Sequence, residues 1–204
     1  GATVSVAAER LVSRASWGES NRQILDALDF ARTDSEVYRV VAEALELVDD
    51  EHPSELLMTP TGSSHELHEV AANTATGSPG CPVTHTEECL AIRRGQVVVT
   101  DSSEAINACP QLRGRPGGPC SAVCVPVGVE GQSVGVIHAT AADRYPPEPQ
   151  VVERLVELSR QVGTRLGVLR ALESSRAEAS TDGLTGLPNR RTLESELQQM
   201  LDGG

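Results

Sequence analysis

Five cysteines, Cys81, Cys89, Cys109, Cys120 and Cys124, are the entire cysteine complement of this 204-residue chain, and all fall in one stretch of it. Thiols gathered this way serve metal ligation, redox chemistry or plain burial. A thiolate is a soft ligand and a nucleophile, whereas a protonated thiol packs as a small hydrophobe. The stretch opens Cys81-Pro82-Val83-Thr84-His85-Thr86-Glu87-Glu88-Cys89 and passes through Arg93-Arg94-Gly95 into Gln96-Val97-Val98-Val99-Thr100. It closes on Ser121-Ala122-Val123-Cys124-Val125-Pro126-Val127. The pattern reads as helix, strand, loop, strand, with a thiol at or near each junction. A secreted disulfide framework would be denser and spread through a smaller domain, so the cluster fits a reducing cytoplasm and favours a metal or redox role.

The elements around the thiols narrow the choice among them. Thr84 followed by Glu87 is a capping-box signature, and Arg93-Arg94-Gly95 supplies terminal cations and a stop, so the sequence predicts a helix over 85–94. Cys89 then falls one turn beyond His85 on the same face. Cys81, just outside the N-terminus, should have its pKa lowered by the helix dipole, so both cysteines read as thiolates. Cys109 lies midway along the loop Ser102–Gly118, and a loop of that length inside a domain calls for a function or a staple. The strongest hairpin pairs 122–129 with 132–140 across Glu130-Gly131. A strict two-residue turn sets Cys124 opposite Ile137 and His138 opposite Val123. That places Cys124 and His138 on opposite faces and excludes His138 as a ligand unless a bulge intervenes. Cys120 and Cys124 share a face, but four extended residues span about 13 Å, too far for two ligands of one ion. Cys120, read as lying outside the strand, becomes the spectator. Cys81, Cys89, Cys109 and Cys124 remain candidate metal ligands, with Cys120 and His85 as weaker candidates.

The remaining elements frame this set. Apolar residues at helical spacing predict helices over 21–31 and 35–48, with a less regular helical segment over 3–16. Glu55–Met58 and Leu67–Val70 read as two strands joined by a turn. From Val151, the residues Leu155, Leu158, Val162, Leu166, Leu169 and Leu172 form a seam suited to a partner helix, which predicts a parallel homodimer through 151–179. A net charge of −12 argues against nucleic acid or an anionic membrane surface, and 2% aromatics argue against stacking platforms and a tetrapyrrole cavity. No apolar run of spanning length exists, so no membrane role is expected. His85 beside Glu87 and Glu88 is better explained by capping than by catalysis, and no acid/base constellation stands out.

The order helix, strands, Cys-bearing helix, strand, loop, a hairpin ending Gly128-Val129-Glu130-Gly131-Gln132-Ser133-Val134-Gly135-Val136-Ile137-His138, then a long helix resembles a GAF domain over roughly residues 21–170. Cys89-Leu90-Ala91-Ile92-Arg93-Arg94-Gly95, Cys109-Pro110-Gln111-Leu112 and Cys124-Val125-Pro126-Val127 resemble the cysteine-bearing GAF domains of bacterial signalling proteins. In those the loop segment commonly carries a histidine where this chain has Gln111, which makes Cys81 the expected fourth ligand. Thr181-Asp182-Gly183-Leu184-Thr185-Gly186-Leu187-Pro188-Asn189-Arg190-Arg191 is similar to the opening of diguanylate cyclase domains of the GGDEF family. The resemblance implies an α+β fold, a GAF-like antiparallel sheet with flanking helices and a long C-terminal signalling helix. Its expected parts are an N-terminal helical segment (1–20), a GAF domain (21–150), the signalling helix (151–180) and the start of a GGDEF domain (181–204). The sequence stops before the catalytic GGDEF core, so the chain as it stands is expected not to be an enzyme, its parent being a diguanylate cyclase. The implied function is a cytoplasmic sensory and dimerisation module for cyclic di-GMP signalling, with zinc or an iron–sulfur cluster, or a redox-active thiol pair, at the cysteine site. The alternative is a metal-free GAF domain that binds a small molecule, its cysteines only structural.

Overall fold

The computed structural model describes residues 2–60 and 65–180, with side chains over 16–60 and 65–176. It divides into two units, Gly1–Leu166 and Gly167–Gly204. The GGDEF-like run 181–191 lies outside the described residues, as do residues 61–64, where a turn is expected.

Helix α1 spans Ala2–Phe30 and α2 spans Asp34–Val48. The break between them is set by Thr33, which stays extended and accepts the Glu36 N–H on its hydroxyl, while Asp34 and Glu36 face the positive end of the helix dipole. The segment expected over 3–16 and the helix expected over 21–31 are one continuous helix. Val37, Val41, Ala44, Leu45 and Val48, at spacings of three and four, form the buried stripe of α2.

Strands β1 (Ser54–Met58) and β2 (His68–Ala72) pair antiparallel, as expected of the two short runs. The region read as one helix over 85–94 is instead a 3-10 turn, Thr86–Glu88, followed by a short helix α3, Leu90–Arg94. The cap forms one residue later than the Thr84/Glu87 spacing suggests. Glu88 accepts the N–H groups of Thr84 and His85, which holds its carboxyl below the usual range. Gly95 closes α3 at φ 60°, a left-handed position that suits glycine. Strand β3 (Val98–Thr100) leads into the long loop, which holds one 3-10 turn, Pro110–Leu112. Strands β4 (Cys120–Val129) and β5 (Gln132–Ala142) make the hairpin, with Glu130 and Gly131 both at positive φ as a two-residue turn requires. Helix α4 spans Pro149–Ser180.

The sheet has five antiparallel strands in the order β2-β1-β5-β4-β3. The α+β, GAF-like architecture expected from the sequence is the one observed. On one face Leu57 and Val136 pack with Leu67, Val83, Cys89, Ala91 and Ile92 under α3. Leu56, Ile137, Val123, Val125 and Val127 alternate to the other face and are fully buried. There α4 approaches closely. The Ser159 hydroxyl donates to the Pro126 carbonyl at 2.7 Å, and a Cβ on Gly163 would lie 2.1 Å from the Gly128 carbonyl oxygen. The seam residues Leu155, Leu158, Val162 and Leu166, expected to meet a partner helix, are buried within this chain.

Candidate functional site

One rung of the sheet builds the site. Glu55 of β1 pairs with His138 of β5, His138 pairs with Cys124 of β4, and Cys124 pairs with Val98 of β3. Paired residues share a face, so Glu55, His138 and Cys124 stand side by side. The expected register, which set Cys124 opposite Ile137, is overturned by a β-bulge. Gly128 pairs with Ser133, but Val127 pairs with Gly135, leaving Val134 as an extra residue on β5. That one residue turns His138 to the Cys124 side, and the Cys124 thiol lies 3.3 Å from its Nδ1.

Above this rung passes the segment from Ser78 to Cys81. Glu55, only 1% exposed, accepts the Cys81 N–H at 2.6 Å and the Ser78 hydroxyl at 2.5 Å. Burial raises its carboxyl pKa, and the neighbouring Glu69 adds to the rise. The ligand atoms of Glu55, Cys81 and His138 all lie within 4.8 Å of one another. This is the one such three-donor group among the described residues, and Cys124 joins it through His138.

Arg115, from the long loop, closes the site. Its Nη1 donates to His138 Nε2 at 3.2 Å and to the Pro79 carbonyl at 3.5 Å. A guanidinium only donates, so Nε2 is the acceptor and the imidazole proton sits on Nδ1, facing sulfur. Burial, with the Arg115 charge as a smaller cause, lowers the His138 pKa to about 3, so the ring is neutral.

Burial favours the protonated thiol at Cys81 and Cys89, contrary to the thiolate expectation. Burial pushes Cys81 up to about 11, and the Val83 N–H offsets only part of that. The reason is geometric. The helix assumed to begin beside Cys81 begins at Leu90, so no dipole bears on it. Cys89 is the cysteine at a helix N-terminus, but it is 5% exposed, and burial outweighs the Ile92 and Ala91 N–H groups that stabilise its thiolate. Cys124 is raised well above the usual thiol value, by burial and then by the neighbouring Cys89, Cys81 and Cys109. Cys109 caps the 3-10 turn in the loop and lies close enough to influence both Cys89 and Cys124.

The structure therefore brings Cys81 and Cys124 to the donor group, keeps Cys89 and Cys109 beside it, and sets Cys120 and His85 apart. Cys120 is the first residue of β4, not outside the strand as expected, and pairs with Ala142. His85 caps the surface turn, its Nδ1 lying 3.0 Å from the Thr84 hydroxyl. Sequence reasoning missed Glu55 and Arg115. The first had a signal, a carboxylate leading directly into the apolar run Leu56-Leu57-Met58; the second sat in a breaker-rich run and had none.

Residues 33–166 match the GAF domain family. The chain belongs to it. Among solved structures, this GAF domain is similar to residues 122 to 287 of a methyl-accepting chemotaxis protein (22% identity, 74% of this chain and 99% of that one, TM-score 0.56). It is similar to the GAF domain of an Acinetobacter phosphoenolpyruvate-protein phosphotransferase (13%, 76% and 94%, TM-score 0.59). It is also similar to a free methionine-R-sulfoxide reductase from Neisseria meningitidis solved with its substrate (19%, 76% and 91%, TM-score 0.57). At these identities the likeness is one of fold. No curated protein matches the chain. Among the described residues no helix is long and apolar enough to cross a membrane.

Proposed function

We propose that this GAF domain is the sensory and dimerisation module of a diguanylate cyclase, and that its input is a metal centre drawn from Cys81, Cys124, His138 and Glu55. One observation carries the metal reading: sulfur, imidazole and carboxylate donors from three separate segments converge within 4.8 Å, with a second thiol 3.3 Å from the imidazole. A mixed set of S, N and O donors suits a single divalent ion of the zinc class better than an iron–sulfur cluster, which is held chiefly by thiolates. Arg115 holds one ring nitrogen of His138 and Cys124 faces the other, so an entering ion has to displace one of these contacts. Binding must also expel the thiol protons, so affinity should rise with pH.

The route from site to output runs along β4. Cys124 faces the donors, while the carbonyls of Pro126 and Gly128, two and four residues on, meet α4 at Ser159 and Gly163. Displacing β4 therefore bears on the helix that leads to the GGDEF-like run at 181–191. Val156, Val168 and Leu172 remain 40%, 53% and 46% exposed on α4, apolar surface for a second copy. The similarity to a chemotaxis protein agrees with a signalling role.

The test is metal content with an absorption spectrum on protein purified without oxygen, for the wild type and Cys81→Ser. About one colourless zinc-class ion per chain, lost in the variant, is the expected result. A coloured iron centre would instead make the site a redox or gas sensor, and metal-free protein from both preparations would end the metal reading.

A further inference from the structure

Arg115 offers more than its contact with His138. Its Nη1 is occupied by His138 Nε2 and the Pro79 carbonyl, but its Nε and Nη2 are enclosed by protein without a hydrogen-bond partner. These two groups are the parallel N–H pair along one edge of the guanidinium plane. That edge matches the spacing of two oxygens on one carboxylate or tetrahedral oxyanion. Buried donors on a cation are costly to leave unpaired, and folded proteins rarely do so. No acidic side chain among the described residues pairs with Arg115. Glu55, the buried carboxylate of the site, is engaged instead by Cys81 and Ser78. The guanidinium is thus anchored at one corner with its bidentate edge free.

We infer that the Nε and Nη2 edge of Arg115 is the recognition element of a small-oxyanion subsite, taking a ligand that presents two oxygens from one carboxylate or inorganic oxyanion. Anchoring by His138 and Pro79 fixes the plane of the fork in advance, so binding orders little that is not already ordered. A spherical anion would meet the charge but not the two-point geometry. The inference does not rest on the metal reading.

The test uses reduced protein with a chelator present throughout. Its Arg Nε–H resonance is followed in ¹H–¹⁵N spectra during titration with formate, acetate or phosphate, against chloride at matched ionic strength. The Arg115 signal is assigned by its disappearance in Arg115→Lys. The expected result is a saturable downfield shift with a two-oxygen anion and none with chloride, together with a rise in wild-type melting temperature that Arg115→Lys loses. Response to formate and acetate would identify an organic acid as the ligand class, and response to phosphate an inorganic oxyanion. No saturable shift with any of the three, an equal shift with chloride, or an undiminished melting response in Arg115→Lys would overturn the subsite. If the lysine variant fails to fold, the wild-type titration against chloride decides alone. Because the chelator removes metal, neither outcome bears on metal content.

Discussion

His138 is neutral and fully buried in the folded chain, with its pKa lowered to about 3 from an ordinary value of 6.5. Below pH 6.5 the unfolded chain takes up a proton that the folded chain refuses, so stability is complete above that pH and declines as pH falls towards 3. The shift corresponds to a loss of roughly 5 kcal/mol at the acid limit. Cys81 acts at the other end. Its pKa rises from 9.0 to about 11, so its contribution holds below pH 9 and is lost as pH climbs through 11. Urea midpoints of reduced, chelated protein should therefore fall on both sides of a plateau between about pH 6.5 and 9. His138→Gln should flatten the acid limb, and Cys81→Ala should make the alkaline one shallower, leaving the part that the raised Cys89 and Cys124 supply; an unchanged acid limb in His138→Gln would assign it to other groups. Arg115 yields a separate prediction. Arg115→Gln removes a cation from beside the donors, so zinc affinity measured against a competing chelator should tighten by about tenfold. Weaker binding would make Arg115 a support for the metal, not its rival.

Between elements, Gly163 of α4 lies close against Gly128 of β4. Helix propensity alone makes Gly163→Ala stabilising by up to about 1 kcal/mol. The contact reverses the sign, because the new Cβ would sit 2.1 Å from a backbone oxygen that cannot swing aside. The expected outcome is destabilisation of about 1–3 kcal/mol, read from chemical denaturation. A stabilised variant would show that α4 is free to back away from the sheet. The same join explains what the sequence could and could not reveal. Alternation and turn chemistry made β1, β2, β3 and the β4–β5 hairpin legible, and Gly95 marked a true helix end. The bulge at Val134 was not read from the sequence, although Gly135 beside it and Gly128 opposite are residues that often mark one. With it went the facing of His138, and so the centre of the site. The Thr84/Glu87 spacing was a genuine capping signal displaced by one residue, since Glu88 reaches the same backbone groups, and that slip carried the thiolate expectation for Cys81 with it.

For the whole molecule, the apolar stripe of α4 that looked like a dimer seam is buried within this chain as far as Leu166, so the proposed association would have to use what is left exposed. Leu172→Glu should weaken self-association by about tenfold or more in sedimentation experiments and leave the GAF fold intact. An unaltered association constant would move the interface elsewhere, with Phe30, 82% exposed, the next residue to change. At this scale the bulge on β5 also sets how the chain tolerates changes of length. Val134 is one residue more than the hairpin needs: without it, Val127 would still meet Gly135 and Cys124 would still meet His138 across an uninterrupted ladder. Losing a second residue from the same strand would bring Ala139 to Cys124 and take the imidazole out of the site. Chains of this kind one codon shorter here can therefore keep the same chemistry, whereas chains two codons shorter cannot.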